Sequence, residues 1–380
     1  MGCDNLKAFT HILKNWEAVK LKLKNFLLVL LICIIMSSIF SNISAASKLM
    51  MGISYYTTEI PTLNQIVDGA KRKGQELGYK VNLAVANFDI NKQINDVENF
   101  IQMGCKVILI NPVDSAGVVP AVQACNRANV PVIMLDIDAK DGVRAAHVTS
   151  DNKCMGRYGG EFLAWKLKGK GKIAMLDYPQ LDIVKERSDA FQEVIKHFPD
   201  IQIVAVEHAV TRAQGLDKME NILQAHPDLD GVYTINDGGG LGTYYAAQAA
   251  GKKFVLASVD GEEEAIALVK LKNSMYGVDT SHFTTLLGKL AATVADKAVK
   301  GQPYKKKTVN PVFPVTYESS RYFPGCTSET LPSIEKLIPS WYKEKSWRQI
   351  AENYNGWRVP PDWYTGTAQN WENALKKIMK

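Results

Sequence analysis

The 380-residue sequence predicts an α/β protein built from two doubly wound parallel-sheet lobes, followed by a helical extension. Three observations carry that expectation. Short, near-continuous apolar runs alternate with stretches that are apolar at helical spacing, as expected for strands covered by helices on both faces. The alternation breaks near residues 148–156 and then begins again, which points to two sheets rather than one. Composition changes after about residue 317, where five of the seven tryptophans lie.

In the first run, 49–55 reads as a strand and 63–77 as a helix carrying Leu63, Ile66, Val67, Ala70 and Leu77 on one face and stopping at Gly78. Residues 81–86 read as the next strand. Ile94, Val97 and Ile101 mark a helix over 90–103, with Gly104 as its stop. A strand at 107–110 is broken by Asn111-Pro112; a helix over 116–128 and a strand over 132–135 follow. In the second run, strands are expected at 173–177, 201–206, 231–235 and 254–259. Helices are expected at 184–197, 216–225, 242–250 and 262–271, with Pro227 and Gly251 just past two of them. Three short helices over 332–341, 347–354 and 368–379 would make the extension, whose aromatic area calls for burial.

The front of the chain has a different character. Lys20, Lys22 and Lys24 precede an apolar run over 26–40, and small and polar residues follow to Ser47. A basic start, a short apolar core and a small-residue exit (Ser44, Ala46) describe a cleavable secretory signal over 1–46, with an uncleaved anchor as the alternative. Half of the formal charge of +6 sits in that segment, so the remainder is nearly neutral and carries no basic block suited to nucleic acid. Composition is that of an ordinary globular protein, at 46% hydrophobic and 22% charged. No pair of the six cysteines has metal-ligand spacing, and Cys105 and Cys125 read as small buried hydrophobes.

Ligands of open parallel sheets sit beyond the carboxyl ends of the strands, so two facing lobes would enclose a cleft there. The residues placed at those ends are Tyr55 and Tyr56, Phe88, Asp136 and Asp138, Asp177 and Tyr178, Asn236 and Asp260, with Arg187 on a helix opening into the same region. Carboxylates, carboxamides and an arginine suit a polyhydroxylated ligand, because they accept from and donate to hydroxyls in pairs, while aromatic faces cover C–H patches. Any one Asp or Asn here also reads as a helix cap or turn residue. The glycine-rich stretch 237–242 reads as a strand-to-helix turn, but Thr243 occupies the place of a third dinucleotide-motif glycine. The residues suggest no catalytic group, no metal ligand set and no cofactor.

Eight stretches in order carry a resemblance to the periplasmic sugar-binding proteins of the ribose-binding type. They are Val67-Asp68-Gly69-Ala70; Leu109 to Ser115; Asn129 to Ile133 leading to Asp136; Thr149-Ser150-Asp151-Asn152; Lys185-Glu186-Arg187; Ala225-His226-Pro227-Asp228; Ile235-Asn236-Asp237; and Val259-Asp260-Gly261. The resemblance implies the type I periplasmic binding protein fold, with a three-segment hinge joining the lobes. It places the first lobe at 47–150 with 280–309, the second at 151–279 with 310–317, and the extension at 318–380. It implies that Asp136, Arg187, Asn236 and Asp260 bind a sugar or polyol, with Asp279 or His282 near a further contact, and with Tyr55, Tyr56, Phe88 or Tyr178 replacing missing stacking aromatics. Where the family usually has an asparagine, two aromatics, an arginine and a further aromatic, this chain has Ile60, Thr62 and Leu63, Ile137 and Val210. The resemblance further implies a periplasmic location, no enzymatic activity, and delivery to the membrane permease of an ABC transporter. The alternatives are presentation of the closed form to a chemoreceptor or sensor kinase, and a non-sugar polar ligand.

Overall fold

A computed structural model describes residues 49–310 and 312–317, together with Lys24. The expected signal segment (1–46, apart from Lys24) and the expected extension (318–380) lie outside these residues. The chain begins with β1 (Met50–Tyr55), α1 (Pro61–Glu76), β2 (Lys80–Val85), α2 (Ile90–Gln102), β3 (Val107–Ile110), α3 (Val119–Arg127), β4 (Val132–Leu135) and β5 (Ala146–Ser150). It continues through α4 (Asn152–Lys166), β6 (Lys170–Asp177), α5 (Asp182–Ile195), β7 (Asp200–His208), α6 (Arg212–Ala225), β8 (Gly231–Thr234), α7 (Asp237–Ala249), β9 (Val255–Asp260), α8 (Glu263–Val269) and β10 (Tyr276–Ser281). The last described elements are α9 (Thr284–Val299), β11 (Lys307–Asn310) and β12 (Phe313–Thr316).

Two six-stranded sheets result, in the orders β11-β5-β4-β3-β1-β2 and β12-β10-β9-β8-β6-β7. Every pairing is parallel except that of β12 with β10, so the second sheet ends on an antiparallel edge. The chain therefore crosses between sheets three times, after β5, after β10 and after β11. These crossings are tied together: Asp151 N donates to Asn310 O at 3.2 Å, the Asn310 amide donates to His282 O, and Ser150 Oγ lies 2.9 Å from His282 Nδ1.

The centre of each sheet is dry. All four residues of β3 (VILI) and of β4 (VIML) are buried, as expected for strands covered on both faces. Full burial of one such Ile or Leu contributes about 1.5–3 kcal/mol. Cys105, Cys125 and Cys154 are buried free thiols within these cores.

Three helices depart from the sequence reading: α4 and α9 have no counterpart in it, and α7 starts earlier than expected. α4 was not expected, because Gly156, Gly159 and Gly160 weaken its helical pattern. Those glycines have a packing role: a Cβ at 156 would overlap the Arg187 carbonyl oxygen, and one at 160 would crowd Val194. α7 begins at Asp237 rather than 242, so the glycine-rich stretch is the first turns of a helix and not a turn before one. A Cβ at 238 or 242 would overlap the backbone carbonyls of Val210 or Arg212. The glycine run lets α7 seat closely on α6 and the loop before it.

Candidate ligand-binding site

Both sheets aim the carboxyl ends of their strands at one cleft. The first lobe contributes Tyr56 after β1, Phe88 after β2, Val113 after β3, and Asp136 and Ile137 after β4; α1 adds Thr62, Leu63 and Ile66. The second lobe contributes Tyr178 after β6, Val210 after β7, Ile235 and Asn236 after β8, and Asp260 at the end of β9; His282 comes from the second crossing. From α5, Ile183, Val184 and Arg187 share one helical face and point into the same space.

Arg187 is the fixed centre. Its Nε donates to Asn152 Oδ1 at 2.8 Å, and its Nη1 donates to Ile235 O at 2.7 Å and to Asp260 Oδ1 at 3.0 Å. The Arg187 and Asp260 side chains are 4% and 9% exposed, so the pair is desolvated as well as charged. Asp260 is held at φ +123° and Asp136 at φ +65°, both unusual for residues other than glycine. Each carboxylate thus ends its strand on a sharp backbone turn that delivers the side chain to the cleft.

Burial pushes the Asp260 carboxyl up to about 7, with Arg187 opposing and the Asp237 and Asp136 charges adding to it. Burial also raises Asp136, against the pull of Arg187 and His147. The Asp136 Oδ1 atom is buried with no hydrogen-bond partner. A buried acceptor left in that state is costly unless a ligand donates to it. Behind Asp260, Asp237 accepts from Ser258 Oγ at 2.7 Å, Tyr276 OH at 2.6 Å and Glu262 N at 2.7 Å. This layer fixes the loop that presents Asp260. His282 lies with Nε2 3.5 Å from Asp260 Oδ1, and burial, with Arg187, lowers its pKa to about 3, so it is neutral at physiological pH.

The sign of the resulting pH dependence follows from these directions. An unperturbed Asp titrates near 3.9. The folded-state value of Asp260 lies above that, so its contribution to stability is full below about pH 4 and is lost as pH rises through about 7. His282 acts in the opposite sense, losing its contribution as pH falls from about 6.5. The melting temperature of Asp260→Asn, relative to the parent, is therefore expected to climb between pH 5 and pH 8. Differential scanning fluorimetry across that range measures it, and a difference constant with pH contradicts the electrostatic account.

Of the residues singled out in the sequence, the fold brings Asp136, Arg187, Asn236, Asp260, Tyr56, Phe88, Tyr178 and His282 to the cleft. Tyr55, Asp138 and Asp279 lie elsewhere, as does Asp177, whose Oδ1 is 2.5 Å from His208 Nδ1. Tyr55 is the last residue of β1, and successive side chains of a strand face opposite ways, so it turns into the first lobe while Tyr56 faces the cleft. Asp138 would share a face with Asp136 only on an extended segment. The left-handed backbone at Asp136 breaks that alternation, and Asp138 pairs instead with Arg144 at 2.8 Å and lies 3.4 Å from His147. Asp279 is buried in β10, where its Oδ1 accepts from Gly261 N at 3.0 Å. It supports the Asp260 turn from behind, and His282 takes the position at the cleft. Asn236 has a second task as the N-cap of α7: its Oδ1 accepts from Gly239 N at 3.0 Å and its amide donates to Val210 O at 2.7 Å. Tyr56 and Phe88 rings are 5.5 Å apart and tilted by 59°.

Sequence reasoning missed the apolar wall of the cleft, made by Leu181, Ile183, Val184 and Ile235. Their pattern is that of any core residue. Ile137 from the first lobe packs in the same apolar cluster as these second-lobe side chains, so the lobes are in contact across the site.

A bilobal α/β frame with a polar cluster between lobes joined by three crossings defines a binding protein of the periplasmic type I class. The family model "Periplasmic binding protein domain" matches residues 51–303, and the chain belongs to that family. The chain is similar to the ribose import binding protein of Bacillus subtilis, 32% identical over 274 residues covering 72% of this chain and 88% of that protein. Among solved structures it is similar to an ABC transporter solute-binding protein from Mycobacterium smegmatis with bound glycerol. That likeness has a TM-score of 0.70 at 30% identity, over 75% of this chain and 99% of the other. It is also similar to an ABC transporter solute-binding protein from Bacillus halodurans with bound myo-inositol, with a TM-score of 0.69 at 25% identity, over 74% and 98% of the two chains.

Proposed function

We propose that this protein is exported, captures a neutral sugar or polyol between its lobes, and delivers it to the membrane permease of an ABC importer. The observation that carries the reading is the cluster of Arg187, Asp260, Asp136 and Asn236 at the facing strand ends, with the Asp136 acceptor left open. Relatives named for ribose, glycerol and myo-inositol support it. Carboxylates that accept from hydroxyls, beside an arginine that donates to them, recognise neighbouring hydroxyls at defined angles. Closure of the lobes around such a ligand removes water from every one of these hydrogen bonds.

A thermal-shift screen of the chain with monosaccharides, deoxysugars and alditols tests the binding reading, because a ligand in excess raises the melting temperature. Stabilisation only by amino acids or nucleosides rejects it. For any sugar that binds, Asp260→Ala is expected to weaken affinity about 100-fold, from hydrogen bonds to a charged group worth about 1.5–3 kcal/mol each. Titration calorimetry reads the change, and retained micromolar affinity removes Asp260 from the site.

A further inference from the structure

The cleft wall carries two kinds of group. The first kind has unused hydrogen-bonding capacity. Asp136 Oδ1 is buried without a hydrogen-bond partner, and the Arg187–Asp260 pair is joined through Nη1 and Oδ1, which leaves Arg187 Nη2 and Asp260 Oδ2 outside that bond. Asn236 has given one amide hydrogen to Val210 O and its oxygen to Gly239 N. Tyr56 also lines the cleft, and its ring packs against the apolar cluster that completes the wall. The second kind is apolar: Ile137, Leu181, Ile183 and Val184 belong to one cluster against which Val210 packs. The remaining polar side chains at the wall are Thr62, Tyr178 and His282, whose Nε2 lies 3.5 Å from Asp260 Oδ1.

The polar groups are placed to bind adjacent hydroxyls. A hydroxyl directed at the Ile183 and Val210 side meets carbon, and burying it without a partner weakens binding by tenfold or more. A methyl or methylene there instead gains from leaving water. The two carboxylates also outnumber the one arginine, which disfavours an acidic or phosphorylated ligand.

We infer that the ligand is a neutral deoxysugar or similarly reduced polyol, held by adjacent hydroxyls at Arg187, Asp260 and Asp136 with a methyl or methylene face against Ile137, Ile183 and Val210. The inference rests on the sugar or polyol reading above and narrows it.

The test is titration calorimetry of the chain with matched pairs: L-rhamnose and L-mannose, L-fucose and L-galactose, 5-deoxy-D-ribose and D-ribose, 6-deoxy-D-glucose and D-glucose. The expected result is at least one pair that binds, with the deoxy member about tenfold tighter or more. Val210→Asn, at a half-buried wall position, is expected to shift the ratio within that pair about tenfold toward the hydroxylated member. A hydroxylated member that binds as tightly as its deoxy partner overturns the inference and leaves the sugar reading standing. Binding confined to amino acids or nucleosides overturns both, and silence from every pair overturns the inference.

Discussion

Replacing Arg187 by Met is expected to lower the melting temperature by about 10 °C at pH 7.5, and by about half as much at pH 5. Removing one partner of a buried ion pair costs about 3–5 kcal/mol, because the other charge stays buried without compensation. Each kcal/mol corresponds to about 2–4 °C for a chain of this class. The pH difference arises because Asp260 titrates near 7 in the folded state. At pH 5 it is largely protonated, so losing the guanidinium leaves no bare charge on Asp260, and the loss is confined to the hydrogen bonds to Asn152, Ile235 O and the neutral carboxyl. The double variant Arg187→Met, Asp260→Asn should regain part of the loss at pH 7.5. An equal drop at both pH values, or no recovery in the double variant, would assign the effect to packing alone.

Gly156→Ala is expected to disable the site from a distance. Gly156 sits in α4 where that helix meets the backbone of α5, and an added methyl would overlap the carbonyl oxygen of Arg187. The neighbour is backbone, so the helix itself has to shift. Overpacking of this kind costs about 1–3 kcal/mol. The shift also moves Arg187, Ile183 and Val184 together, since one face of α5 carries all three. Binding of any sugar should therefore fall tenfold or more in titration calorimetry, beyond what the loss of stability accounts for. Gly251→Ala is the control. Gly251 has φ +64° with open space around a Cβ, so the change should cost about 1 kcal/mol and leave affinity intact. Equal affinity for Gly156→Ala and the parent would show that α5 keeps its place.

How far the sequence speaks depends on whether a feature is local. The strands 107–110 and 132–135 were legible because burial on both faces forces unbroken apolar runs there. β5, β10, β11 and β12 were not, because AHVTS, YGVDTS, KTVN and FPVT have no such run and are strands only by pairing with neighbours in the sheets. α4 and the start of α7 were hidden by glycines, which lower helix propensity yet permit the contacts that hold those helices. At the site, Asp136 and Asp260 could be placed because each directly follows or ends a recognisable strand. Asp138 and Tyr55 could not, because the choice between cleft and interior turns on one residue of alternation and on the positive φ at Asp136. The apolar wall carries no distinguishing signal, since lining a cleft and filling a core ask for the same side chains.

The hydrogen bonds among the three crossings have a mechanical consequence. Ser150, His282 and Asn310 bind these strands of chain into one strap, so no crossing bends without the others. Relative motion of the lobes is thereby reduced to a single angle, and that angle has its own equilibrium between open and shut. Measured affinity is the product of intrinsic contact strength and the fraction of molecules already shut. Substitutions in the strap, far from any hydroxyl of the ligand, would tune capture and release through that fraction alone.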